Sequence, residues 1–240
     1  MFYEEGQDES NWYICYSIMI LTGCETKTSQ KENDEMLKYG SLIKVRPEYE
    51  ERYIILHKHT FPGVLERIYK CNIRNYSIFL RDGILYSYFE YIGENFVEDM
   101  KIMADEVTKD WWKLTDPMQE PLECRKEGEW WASMETWFHY GEKQVKSPEA
   151  KRYVFVAVLP SEKQEEYKQN LQEIGQDVLE QISEAHIQNV SVYFLDGSVY
   201  LYLEYTGEDF ESDENALFDH ANLKPWQPQW QPMKEVFHTD

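Results

Sequence analysis

The chain has 240 residues and a formal net charge of −21, from 45 Asp and Glu against 24 Lys and Arg. This length accommodates two domains of about 100 residues, each with a core of its own. A surface this acidic repels nucleic acids and anionic membranes and, without a basic cluster, disfavours phosphorylated sugars, which leaves a small neutral molecule as the expected ligand.

Residues 1–35 form an N-terminal extension that we expect to be poorly ordered. It contains an apolar run, Trp12–Cys24, which ends in Leu-Thr-Gly-Cys like a lipoprotein cleavage box. Acidic residues stand before this run, where an export signal needs basic ones. We therefore predict a cytoplasmic protein, with an exported lipoprotein anchored at Cys24 as the alternative.

The first copy of a repeated unit, residues 36–140, has the pattern of a βαββαβ motif. Its first strand is followed by Pro47, which suits the first turn of a helix. The predicted elements are a strand Leu37–Val45, a helix Glu48–Cys71 kinked at Phe61-Pro62-Gly63, a strand Tyr76–Leu80, a turn Asp82-Gly83, a strand Ile84–Tyr91, a helix Asn95–Leu114, a loop Pro117–Glu129 and a strand Met134–Tyr140.

The second copy, residues 151–240, follows a polar linker, residues 141–150. Nine of 16 positions are identical between Arg81–Phe96 and Leu195–Phe210 at an offset of 114 residues, so a structural unit has been duplicated. The predicted elements are a strand Tyr153–Leu159, a helix from Glu162 to about Ala185, a strand Ser191–Leu195, a turn Asp196-Gly197, a strand Ser198–Tyr205, a shorter helix broken by prolines and a strand Met233–His238.

Two copies are too few for a solenoid, and two four-stranded sheets with helices on one side can bury their bare faces together. We therefore predict an α+β fold in which two ferredoxin-like repeats form a pseudo-dimeric α+β barrel within one chain. Tyr86, Tyr88 and Phe89 on the hairpin are expected to fill the space between the sheets. Because the second copy replaces a partner subunit, the chain is predicted to be a monomer.

Tyr53 and His57 are the first candidate site residues. They lie four positions apart on the first predicted helix, so their side chains share one face. An imidazole both gives and takes a proton near neutral pH, and a neighbouring phenol can orient a hydroxyl group. Core packing or a capping hydrogen bond would explain the same pair.

Trp111 and Trp112 are the second pair of candidates. Adjacent helical residues diverge by about 100°, so both side chains cannot face the core, and one of them is expected to be exposed or to line a pocket. Aromatic walls with a few polar groups are typical of a site for a sugar ring. Packing at the end of the barrel is the alternative. The pair Trp130-Trp131 is expected to pack at a strand edge.

The segment Met36–Tyr76 resembles the opening of the L-rhamnose mutarotase family without a gap. The family's motif V-x-P-x5-Y-x3-H is followed by an aromatic-Pro pair, an Asn-Tyr pair, a WWK sequence and a closing strand. In this chain these stand as Val45, Pro47, Tyr53 and His57, then Phe61-Pro62, Asn75-Tyr76, Trp111–Lys113 and Met134–Phe138.

The resemblance implies that His57 is the proton donor and that Tyr53, Tyr76, Trp111 and Trp112 contact the sugar. It also implies an assembly of ferredoxin-like protomers in an α+β barrel. No metal or organic cofactor is expected for such an activity.

The second copy departs from the family pattern. At the 114-residue offset Tyr53 corresponds to Tyr167, but His57 corresponds to Leu171 and Tyr76 to Val190. Trp111 corresponds to Pro225, and only Trp112 has an equivalent, Trp226. Because leucine cannot transfer a proton, this copy is predicted to be catalytically silent and to complete the barrel.

The resemblance, together with the candidate Tyr, His and Trp residues, implies an aldose 1-epimerase that interconverts the α and β anomers of a 6-deoxy sugar, with L-rhamnose as the first candidate. General acid and base chemistry would open and close the sugar ring. The rival prediction is a non-catalytic module that binds a sugar or has a regulatory role on the same barrel fold. A monooxygenase or haem-handling protein on this fold is a third reading.

Overall fold

The computed structural model describes residues 36–141, 149–218 and 228–240. The predicted extension with Cys24, most of the linker, Pro225 and Trp226 lie outside the described residues. The first copy contains strands β1 (Leu37–Val45), β2 (Ile73–Arg81), β3 (Ile84–Tyr91), β4 (Gln119–Glu120), β5 (Ala132–Ser133) and β6 (Glu135–Tyr140), and helices α1 (Glu50–Lys58), α2 (Pro62–Lys70), α3 (Phe96–Met103) and α4 (Glu106–Thr115). The second copy contains strands β7 (Lys151–Val158), β8 (Ile187–Leu195), β9 (Ser198–Tyr205), β10 (Gln231–Pro232) and β11 (Lys234–Thr239), and helices α5 (Ser161–Gln172), α6 (Gln176–Glu184) and α7 (Phe210–Phe218).

Each long helix predicted for the first copy is a pair of shorter helices. Helix α2 begins at Pro62, which lacks the N–H group that a continuous helix would need and fits the first helical position. Helix α4 begins after Asp105, whose side chain accepts a hydrogen bond of 2.9 Å from the backbone N–H of Thr108. In the second copy, the single helix predicted from Glu162 is likewise divided into α5 and α6.

Both predicted hairpin turns are present at the predicted residues. The φ angles are 50° at Asp82 and 74° at Gly83, and 47° at Asp196 and 77° at Gly197. Two successive positive φ angles define the type I′ turn, which matches the twist of the strands on either side and favours the Asp-Gly sequence. The second strand of each hairpin has the predicted bounds.

Each of the two antiparallel sheets contains the last strand of the other copy. The first sheet has the order β11-β2-β3-β1-β4, with β5 also paired to β1, and the second has the order β10-β7-β9-β8-β6. Neither copy therefore completes its own sheet. Strand β6 covers the edge of β8, and β11 covers the edge of β2, so neither edge is left open to another chain.

Matching contacts hold the two exchanged strands. Nδ1 of His139 on β6 lies 3.0 Å from Oγ of Ser191, and Nδ1 of His238 on β11 lies 3.0 Å from Oγ of Ser77. Ser77 and Ser191 are separated by the repeat offset of 114 residues. The two histidines therefore make equivalent contacts between the copies.

The space between the sheets is filled by tyrosines from both hairpins. The rings of Tyr88 and Tyr202 stack with centroids 3.7 Å apart, and those of Tyr86 and Tyr200 stack at 5.6 Å. The prediction is correct for Tyr86 and Tyr88 but wrong for Phe89. Side chains alternate along a strand, so Phe89 points to the opposite face of β3 and packs on the helix side.

A buried polar cluster joins the copies beside these tyrosines. Nδ2 of Asn75 donates hydrogen bonds to Oε1 of Glu90 at 3.0 Å and to Oε1 of Glu204 at 2.6 Å. Nδ2 of Asn189 donates to the same two oxygens at 2.8 and 2.6 Å. Each amide therefore bridges the carboxylates of both copies, as expected at the axis of a twofold dimer.

The fold is thus α+β, with two ferredoxin-like repeats that form a pseudo-dimeric α+β barrel within one chain. The helices cover the outer faces of the two sheets. Among the described residues, no helix is both long enough and apolar enough to cross a membrane.

Candidate functional site

Tyr53 and His57 lie on α1 with their side chains against each other. Their ring centroids are 3.9 Å apart and nearly stacked, and both residues are buried. Nδ1 of His57 donates a hydrogen bond of 2.9 Å to the backbone carbonyl of Tyr53, one helical turn earlier. The four-residue spacing read from the sequence therefore produces a fixed pair.

The protonation state of His57 follows from this bond and from burial. A carbonyl oxygen only accepts hydrogen bonds, so Nδ1 carries the ring proton and Nε2 carries a lone pair. Burial lowers the pKa of His57 from 6.5 to about 4, although the bond to Tyr53 opposes the shift. Near neutral pH the imidazole is uncharged, so Nε2 is able to accept a proton.

A cavity of about 170 Å³ opens beside this pair on the helix side of the first sheet. All five residues named from the sequence line it: Tyr53 and His57 from α1, Tyr76 from β2, and Trp111 and Trp112 from α4. The Trp111 ring meets His57 edge-on with centroids 5.2 Å apart. The structure thus brings together residues from three separate elements.

The tandem tryptophans both contribute to the cavity wall. Trp111 is buried and packs edge-on against Phe61, with ring centroids 5.2 Å apart, while Trp112 is half-buried. The expectation that one tryptophan is exposed or lines a pocket is met by Trp112, which lines the cavity while it packs against the core. Trp111 lines the cavity from within the core.

Several lining residues could not be recognised from the sequence. Trp130 and Trp131 line the cavity, so their assignment to strand-edge packing is wrong. Nε1 of Trp130 donates to Oε1 of Gln119 at 2.9 Å, and Nε2 of Gln119 donates to the hydroxyl of Tyr53 at 3.4 Å. Through these two hydrogen bonds, the hydroxyl oxygen of Tyr53 accepts from Gln119, and the hydroxyl proton of Tyr53 remains available to a ligand.

The second copy also supplies a wall of the cavity. Phe237 on β11 lies edge-on to His57, with ring centroids 5.8 Å apart, and edge-on to Tyr76 at 5.5 Å. It reaches this position because β11 belongs to the first sheet. No local sequence signal points to this residue, since its role depends on the strand exchange.

Asp116 is the one Asp, Glu, Lys or Arg among the cavity-lining residues that the structure describes. Burial raises the pKa of its carboxyl from 3.8 to about 6. The absence of a lining Lys or Arg among the described residues gives the cavity no cation for a phosphate group. The arrangement suits a neutral ring-shaped ligand.

The model of the L-rhamnose mutarotase family matches residues 38–140 and again residues 152–238. The chain belongs to the L-rhamnose mutarotase family. Both copies are members of it, which agrees with a tandem duplication. No curated protein matches the chain significantly.

Solved structures with this fold differ widely in sequence from this mutarotase family member. A protein from Fusobacterium nucleatum subsp. nucleatum ATCC 25586, provisionally named a monooxygenase, is 10% identical with a TM-score of 0.53, over 86% of this chain and 94% of that one. A protein from Lactobacillus acidophilus NCFM, also provisionally named a monooxygenase, is 6% identical with a TM-score of 0.52, over 85% and 96% of the two chains. At such identities the likeness shows the fold alone.

The second mutarotase copy has lost most of the polar groups of the site. Leu171 and Val190 occupy the places of His57 and Tyr76 and line a cavity of about 90 Å³ with mainly apolar walls. Its lining residues in the described part of the chain include Tyr167 and Glu214 but no imidazole. The counterparts of the tandem tryptophans lie outside the described residues.

Proposed function

We propose that this protein interconverts the α and β anomers of a 6-deoxy sugar, with L-rhamnose as its substrate. The observation that carries the proposal is the convergence of a neutral imidazole, a tyrosine hydroxyl and two indoles on one small cavity. Membership of the mutarotase family supports the same reaction. An apolar methyl group at C6 suits aromatic walls, and the lining without Lys or Arg suits an uncharged sugar.

The reaction opens and closes the sugar ring. Opening removes the proton of the anomeric hydroxyl, breaks the bond between the anomeric carbon and the ring oxygen, and places a proton on that oxygen. The resulting aldehyde turns about its bond to C2 and closes on its other face, which returns both protons.

His57 acts on the anomeric oxygen in both halves of this cycle. Nε2 has the lone pair, so it accepts the hydroxyl proton during opening and returns it during closing. The family resemblance implies that His57 is the proton donor. In this scheme His57 donates during ring closing, when it is an imidazolium. The Tyr53 hydroxyl, held by Gln119, donates a hydrogen bond that orients the sugar.

The test is a direct measurement of anomer exchange in L-rhamnose by NMR exchange spectroscopy. We expect the wild type to accelerate exchange over buffer, and His57→Gln to lower kcat/KM about 10²–10⁴-fold, the usual contribution of a proton-transfer group. Tyr53→Phe should also lower activity, whereas Tyr167→Phe, its counterpart in the second copy, should leave activity unchanged.

The alternative of a non-catalytic sugar-binding module predicts a different result. Calorimetry would then detect sugar binding that depends on Trp111, while the exchange rate would equal that of buffer for the wild type and His57→Gln alike. That outcome would refute the enzymatic proposal. The same assay over several deoxyhexoses identifies the preferred sugar.

A further inference from the structure

We propose that Asp116 is a second catalytic residue, which protonates the ring oxygen of the sugar while His57 accepts the anomeric proton. This inference rests on the proposed function and names the group that completes it. It assigns a role to a residue outside the family motif described above.

The position of Asp116 is fixed by the helix that carries the tandem tryptophans. It follows α4 directly, and its backbone N–H donates to the carbonyl of Trp112. It also begins a 3-10 helix, Asp116–Met118, whose proline restricts the backbone. The carboxyl group is therefore held at the cavity wall.

Among the described residues, the carboxyl of Asp116 has no hydrogen-bond donor and no ion-pair partner. Across residues 36–141, 149–218 and 228–240, no backbone or side-chain group donates a hydrogen bond to it, and no cation pairs with it. Half-buried carboxylates normally have such partners, because burial without one is costly. A carboxyl left without a partner in a cavity with His57 and Tyr53 is available to a ligand.

The chemistry of ring opening needs such a group. His57 cannot supply the proton for the ring oxygen, since Nδ1–H is bonded to the Tyr53 carbonyl and Nε2 has the lone pair. In opening, Nε2 takes the anomeric proton, the bond from C1 to the ring oxygen breaks, and the Asp116 carboxylic acid gives its proton to that oxygen. In closing, the carboxylate takes this proton back and the His57 imidazolium returns its own to the carbonyl oxygen, so the protein ends unchanged.

The other titratable groups that line the cavity are poorer acids. Burial raises the pKa of Tyr53 well above 10, so its hydroxyl can donate a hydrogen bond but transfers a proton reluctantly. The remaining lining phenol, Tyr76, is also a weak acid by type. A carboxyl with a pKa of about 6 is protonated often enough to act near neutral pH.

This pairing predicts the pH dependence of the reaction. Activity requires that the His57 imidazole is neutral, which is the case above a pH of about 4. It also requires that the Asp116 carboxyl is protonated, which is the case below a pH of about 6. The profile of kcat/KM for the wild type should therefore be bell-shaped, with its maximum between these values.

The experiment compares Asp116→Asn with Asp110→Asn over the full pH range by NMR exchange. Asp110 lies on α4, six residues before Asp116, is exposed and pairs with Lys113, so it is a matched control. We expect Asp116→Asn to lower kcat/KM about 10²–10⁴-fold with little change in KM and to lose the alkaline limb near pH 6, while Asp110→Asn keeps the wild-type profile.

Two results would overturn the inference. One is a wild-type rate in Asp116→Asn, and the other is a higher KM with an unchanged pH profile, which indicates that Asp116 only holds the sugar. In both cases a low rate in His57→Gln would leave the proposed function intact. A wild type that does not accelerate exchange would instead refute the proposed function and this inference with it.

Discussion

Replacement of His57 by glutamine should change how the stability of the protein depends on pH. Burial lowers the pKa of His57 from 6.5 to about 4, so the unfolded chain binds this proton more readily than the folded one. The neutral ring is accommodated without penalty above pH 6.5, and stability is lost as the pH falls from there to about 4. At about 1.4 kcal/mol for each pKa unit, the loss amounts to about 3 kcal/mol.

The titration of Asp116 changes the stability of the protein in the opposite direction over a similar pH range. Its pKa is raised from 3.8 to about 6, so its contribution to stability is full at low pH and is lost as the pH rises through about 6. The two effects partly cancel in the wild type. The difference between wild type and His57→Gln isolates the histidine, because Asp116 is present in both.

The assay is urea unfolding followed by tryptophan fluorescence at several values from about pH 7 to about pH 4. The free energy of unfolding of the wild type, minus that of His57→Gln, should fall by about 3 kcal/mol as the pH decreases. His57→Phe should give the same change in the difference if titration is the cause. Parallel pH profiles for the wild type and both variants would refute the assigned burial and protonation state of His57.

Two further predictions concern the contact between the copies. A Cβ atom at Gly40 would lie 2.9 Å from two ring atoms of the buried Tyr193, so Gly40→Ala should lower the free energy of unfolding in urea by about 1–3 kcal/mol. Tyr193→Leu in the same protein should recover part of this loss. An unchanged midpoint of urea unfolding in Gly40→Ala would contradict this packing. Glu204→Ala removes one of the two acceptors that Asn75 and Asn189 share and should cost about 1–3 kcal/mol, whereas Glu204→Gln keeps an acceptor oxygen and should cost less. Equal losses in both variants would contradict the role of the cluster.

Features set by short-range chemistry could be predicted from the sequence. The Asp-Gly turns follow from two residues that tolerate positive φ, and Pro62 marks the break between α1 and α2. The pairing of Tyr53 with His57 follows from helical spacing alone. The breaks at Ala104-Asp105 and within the second copy were missed because an amphipathic pattern continues across them.

Features set by long-range pairing could not be predicted. The last strand of each copy has the same alternation of apolar and polar residues whether it pairs within its own copy or in the other sheet. The sequence pattern therefore cannot reveal the strand exchange. Phe237 reaches the cavity only through that exchange, and Trp130 only through the path of the loop between β4 and β5. The left-handed conformation of Asn75 and Asn189, with φ of 50° and 49°, could likewise not be predicted. It accompanies hydrogen bonds from both amides to two carboxylates that are distant in sequence.

Because β6 and β11 are exchanged, each half of the polypeptide provides the last strand of the other half's sheet. A half that lacks its incoming strand exposes the hydrogen-bonding edge of β2 or β8, and it carries a strand with no sheet of its own. Cleavage within residues 142–148 would sever one peptide link and leave in place the strand pairing of the described residues. The protein is consequently suited to fragment complementation, in which two separately produced halves regain complete sheets only by assembling with each other.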